Sequence, residues 1–259
     1  MSYQKLINHY YIDPANNNAN YIKVLTLINE LRVITKNQIK AFFASDGELS
    51  KRTYDKVVSF LEENGFIERI MDYRHEKSVI YYITHEGVSF LGSAYTVTKN
   101  PKYNLEHHLM INDKLIESIT VLGSHPHLNS IASERRLVFE AKDCTESKGR
   151  IYKVPDFCFE FLDSKQNMDI SWHFEIELTL KSYNRYQKKI LPHYIRLLED
   201  EYTKQDKIIY VVPTDSIQNK LEVMVEEIEY QKNKSYDNLI IVPFENFSTK
   251  LLELSQDLN

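Results

Sequence analysis

Apolar and polar positions alternate in two different rhythms along this chain. In YIKVLTLINEL, residues Tyr21, Val24, Leu25, Leu27, Ile28 and Leu31 recur at steps of three and four, the period of a helix with one buried side. A second helix is predicted from TKNQIKAFF, with Thr35 as its N-cap, and a third from SKRTYDKVVSFLEENGF. In the third, Ser50 is the cap, Val57, Val58, Phe60 and Leu61 form the buried stripe, and Gly65 ends the helix. FIERIMD and KSVIYYIT then read as two strands around the polar turn YRHEK, and THEGVSFLG as a short closing helix. Residues 1–20 read as a tail, because ANNNAN is polar and repetitive and Asp13-Pro14 breaks a helix. Residues 96–103 read as a linker, which sets the expected domains at 21–95 and 104–259.

The second half opens with a helix in NLEHHLMINDKLIESITVL, burying Leu105, Leu109, Leu115, Ile116 and Ile119. SERRLVFEAK, KVPDFCFEF and DISWHFEIEL are strand-like, and a helical stretch follows over about 182–201. KIIYVVP (strand), SIQNKLEVMVEEIEYQ (helix), NLIIVPF (strand) and NFSTKLLELSQ (helix) complete the order. That order, α-β-β-β-α-β-α-β-α, predicts an α/β sandwich with helices on the faces of a central mixed sheet. Within HFEIELTLKS, Phe174, Ile176, Leu178 and Leu180 alternate with Glu175, Glu177, Thr179 and Lys181. Two carboxylates on one strand face require either water around them or a positive partner between them.

Composition narrows the function classes. The 259 residues are 42% hydrophobic and 27% charged, as in a folded globular protein. No apolar run approaches the ~20 residues of a membrane span, and the first residues lack the pattern of a secretion signal. Cys144 and Cys158 make neither a metal-ligand spacing nor a disulfide framework, so a cytoplasmic protein without a membrane partner is expected. The net charge is −5; residues 1–95 carry 11 basic and 11 acidic side chains, so the excess falls beyond them. Nucleic-acid binding therefore depends on local basic patches. There is no Gly-rich phosphate loop, Ser-His-Asp arrangement or zinc spacing. His107, His108 and Trp172 read as ordinary structural residues.

Three helices followed by a hairpin, worded S-x-R-T-x-x-x-x-V-x-x-L-x-x-x-G-F-I and then Y-Y-I-T-x-x-G, resemble small bacterial winged helix-turn-helix domains. The resemblance implies double-stranded DNA as partner, with the helix from about Ser50 to Asn64 in the major groove. Ser50, Lys51, Arg52, Thr53 and Lys56 would supply donors there, and Arg69, Arg74, His75 and Lys77 would meet phosphates from the wing. Asp46, Glu48 and Asp55 flank these cations and weaken their field. Winged helices reading paired half-sites imply a homodimer.

Element order and residues in the second half resemble the PD-(D/E)xK nuclease-like superfamily. By that resemblance Asp156, after Val154-Pro155, and Glu175 on the next strand would hold Mg²⁺ or Mn²⁺, with Glu134 completing the metal set. Glu177 stands where the superfamily motif has lysine; Lys181, or Lys188 or Lys189 on the next helix, would take that charge's place. Arg185, Lys188 and Lys189, interleaved with Tyr186 and Tyr194, read either as a phosphate-tracking face or as a solvated one. Across about residues 20–200 the chain resembles the replication-relaxation family of bacterial plasmids and mobile elements. The shared features are YYIT-x-x-G, HHLMINDKLI with His108, PDFCFEF, FEIELT and KKILPHY. This implies a DNA-bound accessory of a relaxase or replication complex with a degenerate nuclease-like domain. Two rival readings stand beside it: a metal-dependent DNA endonuclease, and a protein-interaction module without nucleic-acid affinity.

Overall fold

The helical patterns of the first half become α1 (Ala19–Leu31), α2 (Lys36–Ala44) and α3 (Lys51–Glu63). Thr35 caps α2 reciprocally: its hydroxyl accepts from the Gln38 N–H at 3.1 Å, and the Gln38 side chain accepts from the Thr35 N–H at 3.1 Å. The Ser50 hydroxyl caps α3 by accepting from the Thr53 N–H, and Gly65 takes the left-handed conformation (φ 68°) just past its end. Strands β2 (Ile67–Asp72) and β3 (Ser78–Ile83) form the hairpin. A short strand without a sequence signal, β1 (Val33–Thr35), pairs antiparallel with β3 and makes the order β1-β3-β2. With α4 (His85–Leu91) this is a winged helix-turn-helix.

The computed structural model describes residues 3–10, 19–44, 50–72, 78–143, 153–163 and 168–258. Arg74, His75 and Lys77 of the wing, Asp46 and Glu48 before α3, and Cys144 lie outside the described residues. No helix among the described residues is long and apolar enough to cross a membrane.

Residues 3–10 correct the expectation of an N-terminal tail. Tyr3 and Leu6 are fully buried, and Tyr3 packs edge-on against Phe43 at 4.7 Å. Asn29 donates to the Tyr10 hydroxyl at 2.9 Å, and Tyr10 donates to the buried carboxylate of Glu30 at 3.2 Å. Polarity of ANNNAN concealed the apolar anchors ahead of it.

The domain boundary is a second correction. Contacts divide the chain into Met1–Gly123 and Ser124–Asn259, so the expected linker and α5 (Leu105–Leu122) fall in the first unit. The physical reason is buried hydrogen bonding. The Asn112 side chain donates to the Val33 carbonyl at 2.8 Å, and Gln38 donates to the Leu109 carbonyl at 2.9 Å and to Asp113 at 2.7 Å. Leu109 joins Val33 and Ile80 in one apolar cluster.

In the second unit the first strand is β4 (Leu128–Ser133), and SERRLVFEAK is helix α6 (Glu134–Asp143) rather than the expected strand. The Ser133 hydroxyl accepts from the Arg136 N–H at 3.1 Å, and Arg136 pairs with Glu140 one turn on at 2.7 Å; both contacts belong to a helix. Then come β5 (Phe157–Asp163), β6 (Met168–Ile176), α7 (Tyr183–Arg185), a π-helical turn over Tyr186–Ile190 and α8 (Leu191–Glu199). The chain finishes with β7 (Lys207–Val212), α9 (Asp215–Lys232), β8 (Leu239–Pro243) and α10 (Phe247–Ser255). The five strands form one mixed sheet in the order β4-β5-β6-β7-β8, antiparallel through β6 and parallel beyond it.

Pairing register sorts the faces of that sheet. Phe157, Phe159 and Phe161 stand opposite Phe174, Trp172 and Ile170 on one face, where Phe247 of α10 meets Phe174. Glu175 stands beside Tyr210 on the other face, where α8 and α9 cover Ile208, Tyr210 and Val212. The functional side chains gather on this second face.

Candidate nucleic-acid interface and acidic centre

In the first unit, α3 presents Lys51, Arg52, Asp55, Lys56 and Ser59 to solvent, while Tyr54, Val57, Val58 and Leu61 hold it against the core. Ser50 and Thr53 share a hydrogen bond at 2.9 Å within the cap, which uses part of their donor capacity. Asp55 is engaged by Lys36 at 3.7 Å, and Arg69 on β2 is paired with Glu62 at 3.3 Å. Exposed pairs of this kind give way easily to a phosphate. Lys36 and Lys40 on α2 lie over the Tyr54 ring at 5.2 and 5.5 Å. Sequence reading missed both; their i, i+4 spacing on α2 was the available signal. The result is a basic surface around the start of α3 fed by two helices.

In the second unit, Asp156 precedes β5 and its register continues that of the Phe157–Phe174 pair, so it stands opposite Glu175 on the same face. Its backbone is fixed at both ends: its N–H donates to the Phe174 carbonyl and its carbonyl accepts from the Glu134 N–H, each at 2.9 Å. The Ile176 N–H donates to the Asp156 carboxylate at 2.7 Å. Tyr194 donates to Glu175 and Tyr186 donates to Glu177, while Lys181 pairs with Glu177 at 3.0 Å. Tyr210 brings a buried hydroxyl beside Glu175, without a hydrogen-bond partner among the described residues.

Although Asp156 and Glu175 keep some solvent contact, their carboxyl groups sit deep enough for burial to push both well above the ordinary range. For Asp156 the Ile176 N–H opposes that rise and the charge of Glu134 adds to it. For Glu175 the charge of Asp156 is the largest further contribution. Burial also raises Tyr186, Tyr194 and Tyr210, so these hydroxyls stay neutral donors. Among the described residues no group of three or more His, Cys, Asp or Glu is arranged to hold a metal ion. Glu134 reaches the pair through its backbone and its field.

The alternation read through Lys181 stops at Ile176, where β6 ends. Glu177 is 5% exposed and pairs directly with Lys181, whose charge also acts to lower Asp156 and Glu175. Tyr186 and Tyr194 are the residues that reading undervalued. Eight residues of regular α-helix advance about 800°, leaving the two roughly 80° apart. The π-helical turn over Tyr186–Ile190 takes up the extra residue, and both hydroxyls reach the acidic residues.

Arg185, Lys188 and Lys189 are exposed beside this centre. Two further cations, Lys153 and Arg196, join them. The Lys153 ammonium donates to the Lys189 carbonyl, and its affinity for protons is lowered by burial, then by Arg196 and Lys189. The same two cations, Lys153 and Arg196, act after burial to lower His193. These cations cluster along the helical stretch that carries Tyr186 and Tyr194.

The replication-relaxation family matches the chain over residues 25–212. No curated protein matches it. Among solved structures, wild-type MarR from E. coli in its apo form aligns with 29% of this chain and 52% of its own, at 20% identity and a TM-score of 0.25. A cysteine-to-serine mutant of the same protein, complexed with operator DNA, aligns with 54% of this chain and 81% of its own, at 14% identity and a TM-score of 0.26. The chain spans about half the length of the first of these.

Proposed function

This chain belongs to the replication-relaxation family, and from that premise we propose that it binds double-stranded DNA as an accessory or regulatory protein of plasmid replication or mobilisation. The carrying observation is the exposed basic surface at the start of α3, where Lys51, Arg52 and Lys56 stand free of the core. A helix N-terminus with exposed Lys and Arg suits insertion into the major groove, and Lys36 and Lys40 suit the flanking phosphates. On this reading a relaxase or replication protein is the second partner, the protein dimerises on paired half-sites, and the second unit is a degenerate nuclease-like domain. A salt-series gel shift on a duplex of the protein's own replicon tests it. Binding should weaken steeply with salt, and Lys36→Ala should lower the log–log slope by about 1. Salt-independent binding, or none, ends this reading.

A second reading, a metal-dependent DNA endonuclease, draws on one specific feature: two carboxyls face each other on adjacent strands with their ionisation suppressed. Mg²⁺ is commonly held by one or two carboxylates together with water and substrate phosphates, and Asp156 and Glu175 fit that donor class. Such an ion would polarise a phosphoryl oxygen. Here the chain's residues would orient the two carboxylates through Tyr194 and the Ile176 N–H and track the backbone with Lys153, Lys188, Lys189 and Arg185. Supercoiled plasmid incubated with Mg²⁺ or Mn²⁺ separates the readings: nicking lost in Glu175→Ala favours the endonuclease.

A further inference from the structure

Cations recur in register along one side of the helical stretch in the second unit. Lys189, His193 and Arg196 follow one another at steps of four and three, so they share one face of the π-helical turn and α8. Leu191, Tyr194, Ile195 and Leu198 form the opposite, buried side of α8. Lys153, ahead of β5, joins that face from another part of the chain, because its ammonium donates to the Lys189 carbonyl. Lys153, Lys189 and Arg196 are exposed, and His193 is half-buried.

These groups repel one another. After burial, Arg196 and Lys189 lower the proton affinity of Lys153, and Lys153, Arg196 and His173 lower that of His193. Other cations of the unit are offset by carboxylates: Lys181 by Glu177, Arg136 by Glu140 and Lys250 by Glu253. Around the cluster the acidic side chains are already engaged. Asp206 pairs with His173 at 3.3 Å, and Glu199, three residues beyond Arg196, pairs with Lys232 at 2.9 Å and accepts from Tyr236. None of Lys153, Lys189, His193 and Arg196 has a carboxylate partner among the described residues. Like charges held together without a counter-charge are the footprint of an anionic ligand.

We propose that Lys153, Lys189, His193 and Arg196 form a phosphate-binding track, by which the second unit contacts nucleic acid at a place of its own, apart from the winged helix. The seven residues from Lys189 to Arg196 advance about 10 Å along the helix axis. Phosphates of one DNA strand follow at about 3.4 Å of axial rise, so a row of about three matches that length, whereas one free anion meets only part of it. An acidic peptide would match the charge as well. The choice of nucleic acid rests on the DNA-binding reading of the first unit, and it holds whether or not Asp156 and Glu175 take up a metal ion.

The test uses the full chain in two backgrounds: the parent, and Lys51→Ala combined with Arg52→Ala, which removes donors at the start of α3. Binding of a labelled duplex is followed by fluorescence anisotropy across a salt series. Lys153→Ala combined with Arg196→Ala should lower the log–log slope by about 2 in the parent. In the second background the same pair should remove most of the binding that remains. The melting temperature should stay unchanged, because both side chains are exposed. In NMR spectra the His193 imidazole should titrate at higher pH with duplex bound than without, as a phosphate beside it favours the protonated ring. Equal slopes with and without Lys153 and Arg196 would overturn the proposal. So would polyglutamate binding more tightly than a duplex of equal charge, which would make the partner an acidic protein. A His193 shift saturated by millimolar inorganic phosphate alone would also overturn it, leaving a free-anion site. Failure of the winged-helix reading looks different: the slope would then follow Lys153 and Arg196 and ignore Lys51 and Arg52.

Discussion

Glu175 concentrates the chemistry of this chain into one side chain. Its carboxyl faces Asp156, accepts from Tyr194 and is raised first by burial and then by the charge of Asp156. A raised carboxyl takes up protons on folding, so between the ordinary carboxylate range and its folded value stability falls as pH rises. Glu175→Gln keeps an acceptor for Tyr194 and removes the repulsion. We expect the variant to melt later than the parent at about pH 8, by roughly 1 kcal/mol, with the difference vanishing near pH 4. A calorimetric pH series checks this, and identical profiles would show that the pair carries no strain. Each residue type here was visible in the sequence, as was the pairing of Asp156 with Glu175. The tyrosines that cap Glu175 and Glu177 were not, because their meeting depends on a widened helical turn that no local pattern encodes.

Among the elements, α4 shows how tightly the winged helix is built. The Thr84 hydroxyl accepts from the Gly87 N–H at 3.1 Å and donates to the Gly65 carbonyl at 2.6 Å, tying the start of α4 to the end of α3. A Cβ on Gly87 would lie 2.2 Å from the Phe66 carbonyl oxygen and 2.7 Å from an Ile83 side-chain carbon. Backbone cannot yield as a side-chain tip does, so Gly87→Ala should cost about 2 kcal/mol or more. A denaturant titration with an unchanged slope and a lower midpoint is the expected record. Helices with strong caps and a clear apolar stripe were readable from sequence. β1 and α6 were not: three residues are too few to show an alternation, and the short apolar run Leu137-Val138-Phe139 in RRLVFEA imitates a buried strand. Its helical state is set by the Ser133 cap and by its place beside β4 and β5.

At the level of the whole molecule, α5 decides where the first unit ends. Asn112 and Gln38 exchange buried hydrogen bonds between α5 and the winged helix, and a buried polar group stripped of its partner costs about 1–3 kcal/mol. A fragment of residues 1–123 should therefore melt cooperatively, whereas one ending at residue 95 should melt several degrees lower or without a clear transition. Circular dichroism of the two fragments tests this, and equal melting would return α5 to the second unit. What the sequence determined unaided is what local physics can encode: helix stripes, caps and stops, the hairpin, the mixed α/β order of the second half, and the residue types able to meet DNA or a divalent ion. Only the tertiary structure decided which helix completes which unit, that residues 3–10 pack against α1 and α2, and that Lys181 pairs directly with Glu177 beside the acidic pair. Those outcomes depend on contacts between residues distant in the chain, where burial sets the energy of a hydrogen bond or a charge and local spacing carries no record of it.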